Sequence, residues 1–384
     1  MVRIIFAGHT GLDKRQLVER IAKECIPNDL PKNLNDTRVM EVIRVIDVEE
    51  KILQITGKDH ITPILDSFFP RIAEDRWREA FHQILADIDG VKDVFLLMHL
   101  TYYRSGRWLS LFDIDALKTF KPDLIITLTD DVFHVWYRIL KREERRYTGS
   151  YFKLSEILSW RMVELLIADL VAKMLNIRNV YIAAKHPIST FFKLIKTDLP
   201  IVYHCHPISR ARDAQNIVGE VNDFRKRLEE ISVVLEPTTI DEKILENIKN
   251  RGYIVEKADR WPIETDIDEL YPIELKQAEV EEIITPSPTT HLNYIDHQIR
   301  YRDYRYIDQS DMVVAYRPFY GRQLHVGVWS EIHYAILRYK EVLAYVPENE
   351  RIRHPFVGSL RELSSADDVI EEVKKRRRGW SVRD

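Results

Sequence analysis

Glycine is scarce in this chain. The 384 residues include twelve, about 3%, under half the ~7% of an ordinary protein. Loops that need left-handed backbone or a close approach to a ligand are therefore few, and each glycine marks a place worth locating. Cysteine is rarer still: Cys25 and Cys205 stand alone, neither in a CxxC pair. That excludes a disulfide scaffold and makes a reducing compartment, the cytoplasm, the expected setting. No stretch reaches the ~18 uninterrupted apolar residues of a membrane span, and the apolar run at 2–7 is too short for a signal sequence, so a membrane partner is not expected. Neither sign of charge is in large excess. With 57 basic and 61 acidic residues the net charge is −4, which argues against nucleic acid as a partner. No period of 20–50 residues recurs, which excludes solenoids and propellers.

What is present is a foldable composition, 45% hydrophobic and 31% charged, rich in the Arg, Glu, Lys, Ile and Tyr common in thermophile proteins. At ~100–200 residues per domain the length predicts two domains. Short apolar runs at 2–7, 91–97, 124–128 and 180–183 read as buried strands, with helices over 13–24 and 155–175. Residues 186–200 contain a short helix, end in Pro200, and read as an inter-domain connection. The pattern then restarts with strands at 201–204, 232–235, 312–316 and 342–346. Helices fall at 212–231, 330–339 and 366–378. Along the first of these, Ile217, Val221, Phe224, Leu228 and Ile231 form one apolar stripe. Residues 255–300, acidic and interrupted by Pro262, Pro272, Pro286 and Pro288, read as an irregular surface insertion, a candidate lid. The terminal run Lys374–Arg378 reads as a solvated helix end that suits the macrodipole. The expected fold is α/β: two three-layer α/β/α domains with mainly parallel sheets, at 1–192 and 199–384.

The first glycine pair is in Gly8-His9-Thr10-Gly11-Leu12-Asp13-Lys14-Arg15, between a strand and a helix. A phosphate-binding loop belongs there, its amides and helix N-terminus cradling phosphates and its lysine reaching the β/γ oxygens. The spacing from Gly8 to Lys14 fits GxxxxGK. Yet Asp13 stands where the glycine before the lysine belongs, and Arg15 replaces the hydroxyl that would bind Mg²⁺. The stretch resembles nucleotide kinases of the adenylate kinase class, loosely over 1–185. That resemblance implies a P-loop fold with Gly8, Gly11, Lys14, Arg138 and Arg142 at a nucleotide site, taking ATP and Mg²⁺ if it is active. Arg145 and Arg146 extend the arginine series; Glu143 and Glu144 could equally pair with it. The damage at Asp13 and Arg15 reads as a retained fold with weak or lost phosphoryl transfer.

The second pair, Gly321 and Gly327, lies between the apolar strand that follows Asp311 and a helix that Glu331 enters. In a parallel sheet, ligands bind at strand ends and helix N-termini. The series SDMVVAY, GVWSEIHYA and YKEVLAYV, with IVYHCHPIS at 201–209, is similar to the nucleoside 2-deoxyribosyltransferase family over about 200–347. The resemblance implies a flavodoxin/Rossmann-like domain and a double displacement at a sugar C1′, with no cofactor. It implies Glu331 as nucleophile, Asp311 as an acid contacting base or sugar, Tyr203 orienting the nucleophile, and a homo-oligomer. The helix N-terminus is expected to keep Glu331 ionised. His325 stands where the family often has an acid, and could protonate the leaving base.

His204 and His206 share one strand face, as HxH metal pairs do. The domain is too short for the barrel that such a pair opens in amidohydrolases, so no metal is expected. Arg210 and Arg212 could hold a phosphate, or be plain surface charges. The favoured expectation is cleavage or transfer at the N-glycosidic bond of a nucleoside or nucleotide through Glu331. The alternatives are an ATP-dependent nucleotide kinase using Lys14, and a non-catalytic nucleotide-binding or scaffold protein.

Overall fold

The structure, a computed structural model, describes residues 2–25, 43–67, 70–104, 106–146, 152–208, 215–248, 252–256, 271–352, 360–380 and 382. It divides into two compact units, Met1–Ala184 and Lys185–Val382.

In the first unit β1 (Arg3–Ala7) leads into α1 (Lys14–Glu24). β2 (Ile43–Asp47), α2 (Val48–Thr56), α3 (Pro70–Asp87) and β3 (Asp93–Met98) follow. A hairpin of β4 (Thr101–Arg104) and β5 (Arg107–Ser110) comes next, then α4 (Ile114–Phe120), β6 (Leu124–Thr129), α5 (Val132–Arg146), α6 (Leu154–Leu175) and β7 (Arg178–Ala183). The sheet order is β2-β3-β1-β6-β7, all parallel. Its strands are near-continuous apolar runs because helices cover both faces; every residue of β6 is buried.

The second unit begins with α7 (Ile188–Lys196), followed by β8 (Ile201–Cys205), α8 (Gln215–Ile231) and β9 (Val233–Leu235). The helix expected to be an inter-domain connection thus belongs to this unit: its buried Phe191, Leu194 and Ile195 face the core, and it packs on β9. The chain continues through β10 (Ile254–Val255) and β11 (Ile273–Glu274), an antiparallel pair, to α9 (Gln277–Ile284) and α10 (Tyr294–Gln309). The region 255–300 is therefore not wholly irregular. Its second part forms two helices, and Asn293 caps α10 by accepting from the Asp296 amide at 2.8 Å. Residues 257–270 lie outside the described residues.

Next come β12 (Met312–Tyr316), α11 (Val326–Leu337), β13 (Glu341–Tyr345), β14 (Arg361–Leu363) and α12 (Ala366–Lys374). The parallel order β14-β13-β12-β8-β9 reverses direction between β8 and β12. That switch point opens a crevice at the carboxyl ends of the strands. The apolar stripe of α8 seals one face: Ile217, Val221, Phe224 and Leu228 pack with Val202, Val234, Val314 and with Val369 and Val373 of α12. Each such burial contributes about 1.5–3 kcal/mol. The basic terminus is not all solvated, because Arg378 is buried and donates to the carbonyls of Lys193, Leu194 and Leu199. Among the described residues no helix is long and apolar enough to cross a membrane.

Candidate functional site

A cavity of about 740 Å³ opens at the switch point of the second unit. That is the size of a small-molecule pocket. β8 alternates its side chains between the sheet faces. Tyr203 faces α10, its ring 6.4 Å from that of Tyr306. His204 faces α8, its ring 5.7 Å from that of Phe224. Glu331 is half-buried on α11 and lines the cavity together with Asp303 of α10. The Tyr203 phenol and the Glu331 carboxyl meet across β8 and α11.

The electrostatics differ from expectation. Helix α11 starts at Val326, so Gly327 is helical and Glu331 lies past the first turn. The helix dipole acts over the first turn only. Burial instead pushes the Glu331 carboxyl well above its ordinary range, the negative charge of Asp303 raises it further, and the Tyr203 phenol offsets part of this. Burial raises Asp303 too, against the pull of Arg302, whose Nε donates to Asp303 Oδ1 at 2.9 Å and whose Nη1 donates to the Ile240 carbonyl at 2.6 Å. Burial thus disfavours the charged form of both carboxyls, and Arg302 offsets this at Asp303.

His325, the residue preceding α11, also lines the cavity, with Nε2 3.2 Å from the Tyr320 carbonyl. Tyr304 forms part of the wall; its ring stacks on Tyr334 at 4.2 Å, and its hydroxyl meets Ser330 Oγ at 2.7 Å. Asp311 is not in the site. It precedes β12 at the opposite end of the strand, where its carboxylate accepts from the Ile201 amide at 2.7 Å and ties β12 to β8. The acid beside Glu331 is Asp303. The signal for it was a helical period in 295–307 with Gln298, Arg302, Asp303 and Tyr306 on the buried face. Such polar residues do not register as an apolar stripe.

β8 and β9 pair in parallel with Tyr203 opposite Leu235, which sets Glu236 beside His204. Glu236 Oε2 is 2.8 Å from His204 Nδ1, and Oε1 is 3.8 Å from His206 Nδ1. Arg210 and Arg212 lie outside the described residues.

In the first unit a second cavity, of about 540 Å³, lies over the Gly8–Lys14 loop. Gly8 and Gly11 are required there: a Cβ on Gly8 would come within 2.6 Å of Leu12 Cδ1, and one on Gly11 within 2.9 Å of the Val135 carbonyl. Asp13 adopts a left-handed conformation, with φ 49°. Its carboxylate is 3.5 Å from Arg138 Nε. Arg138 is buried, bonded to Asp130 Oδ2 at 2.8 Å and to the Gly11 carbonyl at 3.1 Å, and so holds the loop. Lys14 is likewise engaged, with Nζ 2.5 Å from the Gly8 carbonyl and 3.1 Å from His99 Nε2. Glu164, unmarked in the sequence, accepts from the amides of Gly8, Leu100 and Thr101. Arg15 pairs with Glu19 and Glu50 at the surface. Around this cavity Asp13, Glu19, Asp47, Glu49 and Glu50 outnumber Lys14 and Arg15. The Arg142 side chain lies outside the described residues.

No protein-family model matches the chain, and no curated protein does. Among solved structures, one from a characterisation of the PezAT chromosomal toxin-antitoxin system of Streptococcus pneumoniae is similar over 47% of this chain and 68% of its own. The identity is 10% and the TM-score 0.29. A likeness at that score settles neither fold nor activity.

Proposed function

We propose that the second unit breaks the N-glycosidic bond of a nucleoside or nucleotide and passes the sugar to water or to a second base. Glu331 attacks the anomeric carbon. Its O–C1′ bond forms as C1′–N breaks, and the electron pair leaves with the base, which takes a proton from the cavity wall where His325 stands. Water or an incoming base then displaces Glu331, as in retaining glycosidases.

The observation that supports this reading is the carboxyl pair Glu331–Asp303 meeting the Tyr203 phenol at a cavity of small-molecule size. Buried titratable groups whose surroundings shift them strongly, gathered at a cavity, are candidates for acid–base chemistry. Attack belongs to the ionised fraction of Glu331, so the rate rises with pH through its elevated pKa. A Cβ on Gly327, which also lines the cavity, would meet only open space. Glycine there leaves room for a ligand and is not dictated by the backbone.

We infer that the first unit keeps a nucleotide-kinase-like loop without phosphoryl transfer. Lys14 and Arg138 are tied to the loop's own carbonyls, and the acid-rich cavity repels polyphosphate.

The test is a panel of nucleosides, deoxynucleosides and their monophosphates, with and without ATP, the products separated by chromatography. Free or exchanged base that disappears in Glu331→Gln is the expected result. Base release that persists in that variant removes Glu331 from the mechanism. Conversion of ATP to ADP that is lost in Lys14→Ala would instead make the first unit the enzyme.

A further inference from the structure

On the face of β8 turned away from Tyr203, His204, His206 and Glu236 form a buried cluster whose candidate ligand atoms lie within 4.8 Å of one another. We propose that these three residues bind a divalent transition metal ion of the zinc–cobalt class. The donor set, two imidazoles and one carboxylate, is that of three-ligand zinc sites that keep a position open. At metal–ligand distances of about 2.0–2.1 Å, tetrahedral ligand atoms stand roughly 3.3–3.4 Å apart. Glu236 approaches His204 through Oε2 at 2.8 Å and His206 through Oε1 at 3.8 Å. With all three candidate ligand atoms within 4.8 Å of one another, side-chain adjustments of up to about 1.5 Å close them onto one ion.

His204 is fully buried and meets the Glu236 carboxylate through Nδ1. The carboxylate is also held in place. Glu236 Oε1 accepts from Thr238 Oγ1 at 2.9 Å, and the Glu236 amide donates to His186 Nε2 at 3.2 Å. Such supports orient the ligands of metal sites. Arg225, the nearby cation, is paired with Glu229 at 2.6 Å. His206 also lines the cavity.

The proposal does not depend on the glycosyl chemistry, and its test contains no nucleoside. The full-length protein is stripped with a chelator, dialysed, and titrated with Co²⁺ and then Zn²⁺. The expected result is one equivalent bound per chain, with the visible absorption of four-coordinate cobalt, bleached by zinc. Zinc should also raise the melting temperature. Glu236→Gln and His204→Gln should each weaken binding at least tenfold and abolish the zinc-dependent rise in melting temperature. Circular dichroism confirms that each variant is folded. A wild-type protein that binds less than one equivalent, or shows no four-coordinate spectrum, overturns the proposal. So does undiminished binding in a folded Glu236→Gln protein, which would place the ion elsewhere; Asp130, Asp131 and His134 are the other cluster able to take it.

Discussion

Glu164 Oε1 accepts a hydrogen bond from the Gly8 amide at 3.1 Å, across 156 positions of sequence. The first amide of the phosphate-type loop is therefore satisfied by the protein's own carboxylate. The same carboxylate serves the Leu100 and Thr101 amides and the Thr101 hydroxyl, at 2.5 to 2.9 Å. Helix α6 thereby braces the ends of two strands as well as the loop.

Glu164→Ala should consequently destabilise the first unit by about 3 kcal/mol or more, since each buried donor left unsatisfied costs about 1–3 kcal/mol. Glu164→Gln, which keeps one acceptor oxygen, should cost less. Denaturant titrations of the full-length protein measure both. A loss under about 1 kcal/mol for the alanine variant contradicts this role.

Asp13 sits at φ 49°, where a Cβ is disfavoured by roughly 1–2 kcal/mol. Asp13→Gly relieves that strain but loses the partly exposed contact with Arg138. The net change should lie within about 0.5 kcal/mol of zero or be stabilising. Asp13→Val, β-branched at a left-handed position, should lose more than about 1 kcal/mol. Equal midpoints for the two variants would show that the conformation is not a constraint. The glycine variant should gain no ATP turnover, because Lys14 and Arg138 remain engaged with the loop.

The proposed chemistry predicts opposite pH shifts from two neighbours of Glu331. The charge of Asp303 raises the Glu331 carboxyl and the Tyr203 phenol lowers it. Asp303→Asn should therefore move the acidic limb of kcat/KM to lower pH. Tyr203→Phe should move it to higher pH and cost about 10²-fold in kcat through lost positioning. Shifts of the same sign in both variants would take Glu331 out of the rate-controlling ionisation.

Arg378→Ala should cost the second unit about 2–4 kcal/mol. It removes charge-assisted bonds to the carbonyls of Lys193, Leu194 and Leu199, and bonds to charged groups contribute about 1.5–3 kcal/mol each, though not additively. Hydrogen exchange resolves where the loss falls. Protection should drop in α7 and β8 and stay unchanged in β1 and β3.

Much of the architecture was legible because buried strands announce themselves. β12 spans the run read from its apolar residues, and the stripe of α8 faces the core at its expected spacing. The two α/β/α units follow from that alternation. Helix α10 was hidden, because its buried face carries Gln298, Arg302, Asp303 and Tyr306, which look like surface until Tyr203 and Glu331 are set against them. Glu236 was invisible for a different reason. Only the register of β8 on β9 brings it to His204, 32 positions away in the chain, and no local pattern encodes a register between strands so far apart. Asp311 was misplaced because proximity to a strand does not say which end of the strand faces the crevice. In the phosphate-type loop the departures at Asp13 and Arg15 were plain. The capture of Lys14 by the Gly8 carbonyl was not, since it depends on backbone direction.

The Arg378 clamp has a topological consequence. Its guanidinium holds carbonyls in the last turn of the first helix of the second unit and just beyond it, and its amide donates to the Asp198 carbonyl at 2.8 Å. The start and finish of that unit are thus stitched side by side, so its fold does not need the chain to be cut where it is cut. A short linker joining 380 to 185, with new ends opened in an exposed loop such as the one at Gly321, should give a circular permutant that still melts cooperatively. Failure of that permutant to fold would mean that the order in which the strands are made matters as much as the contacts they end with.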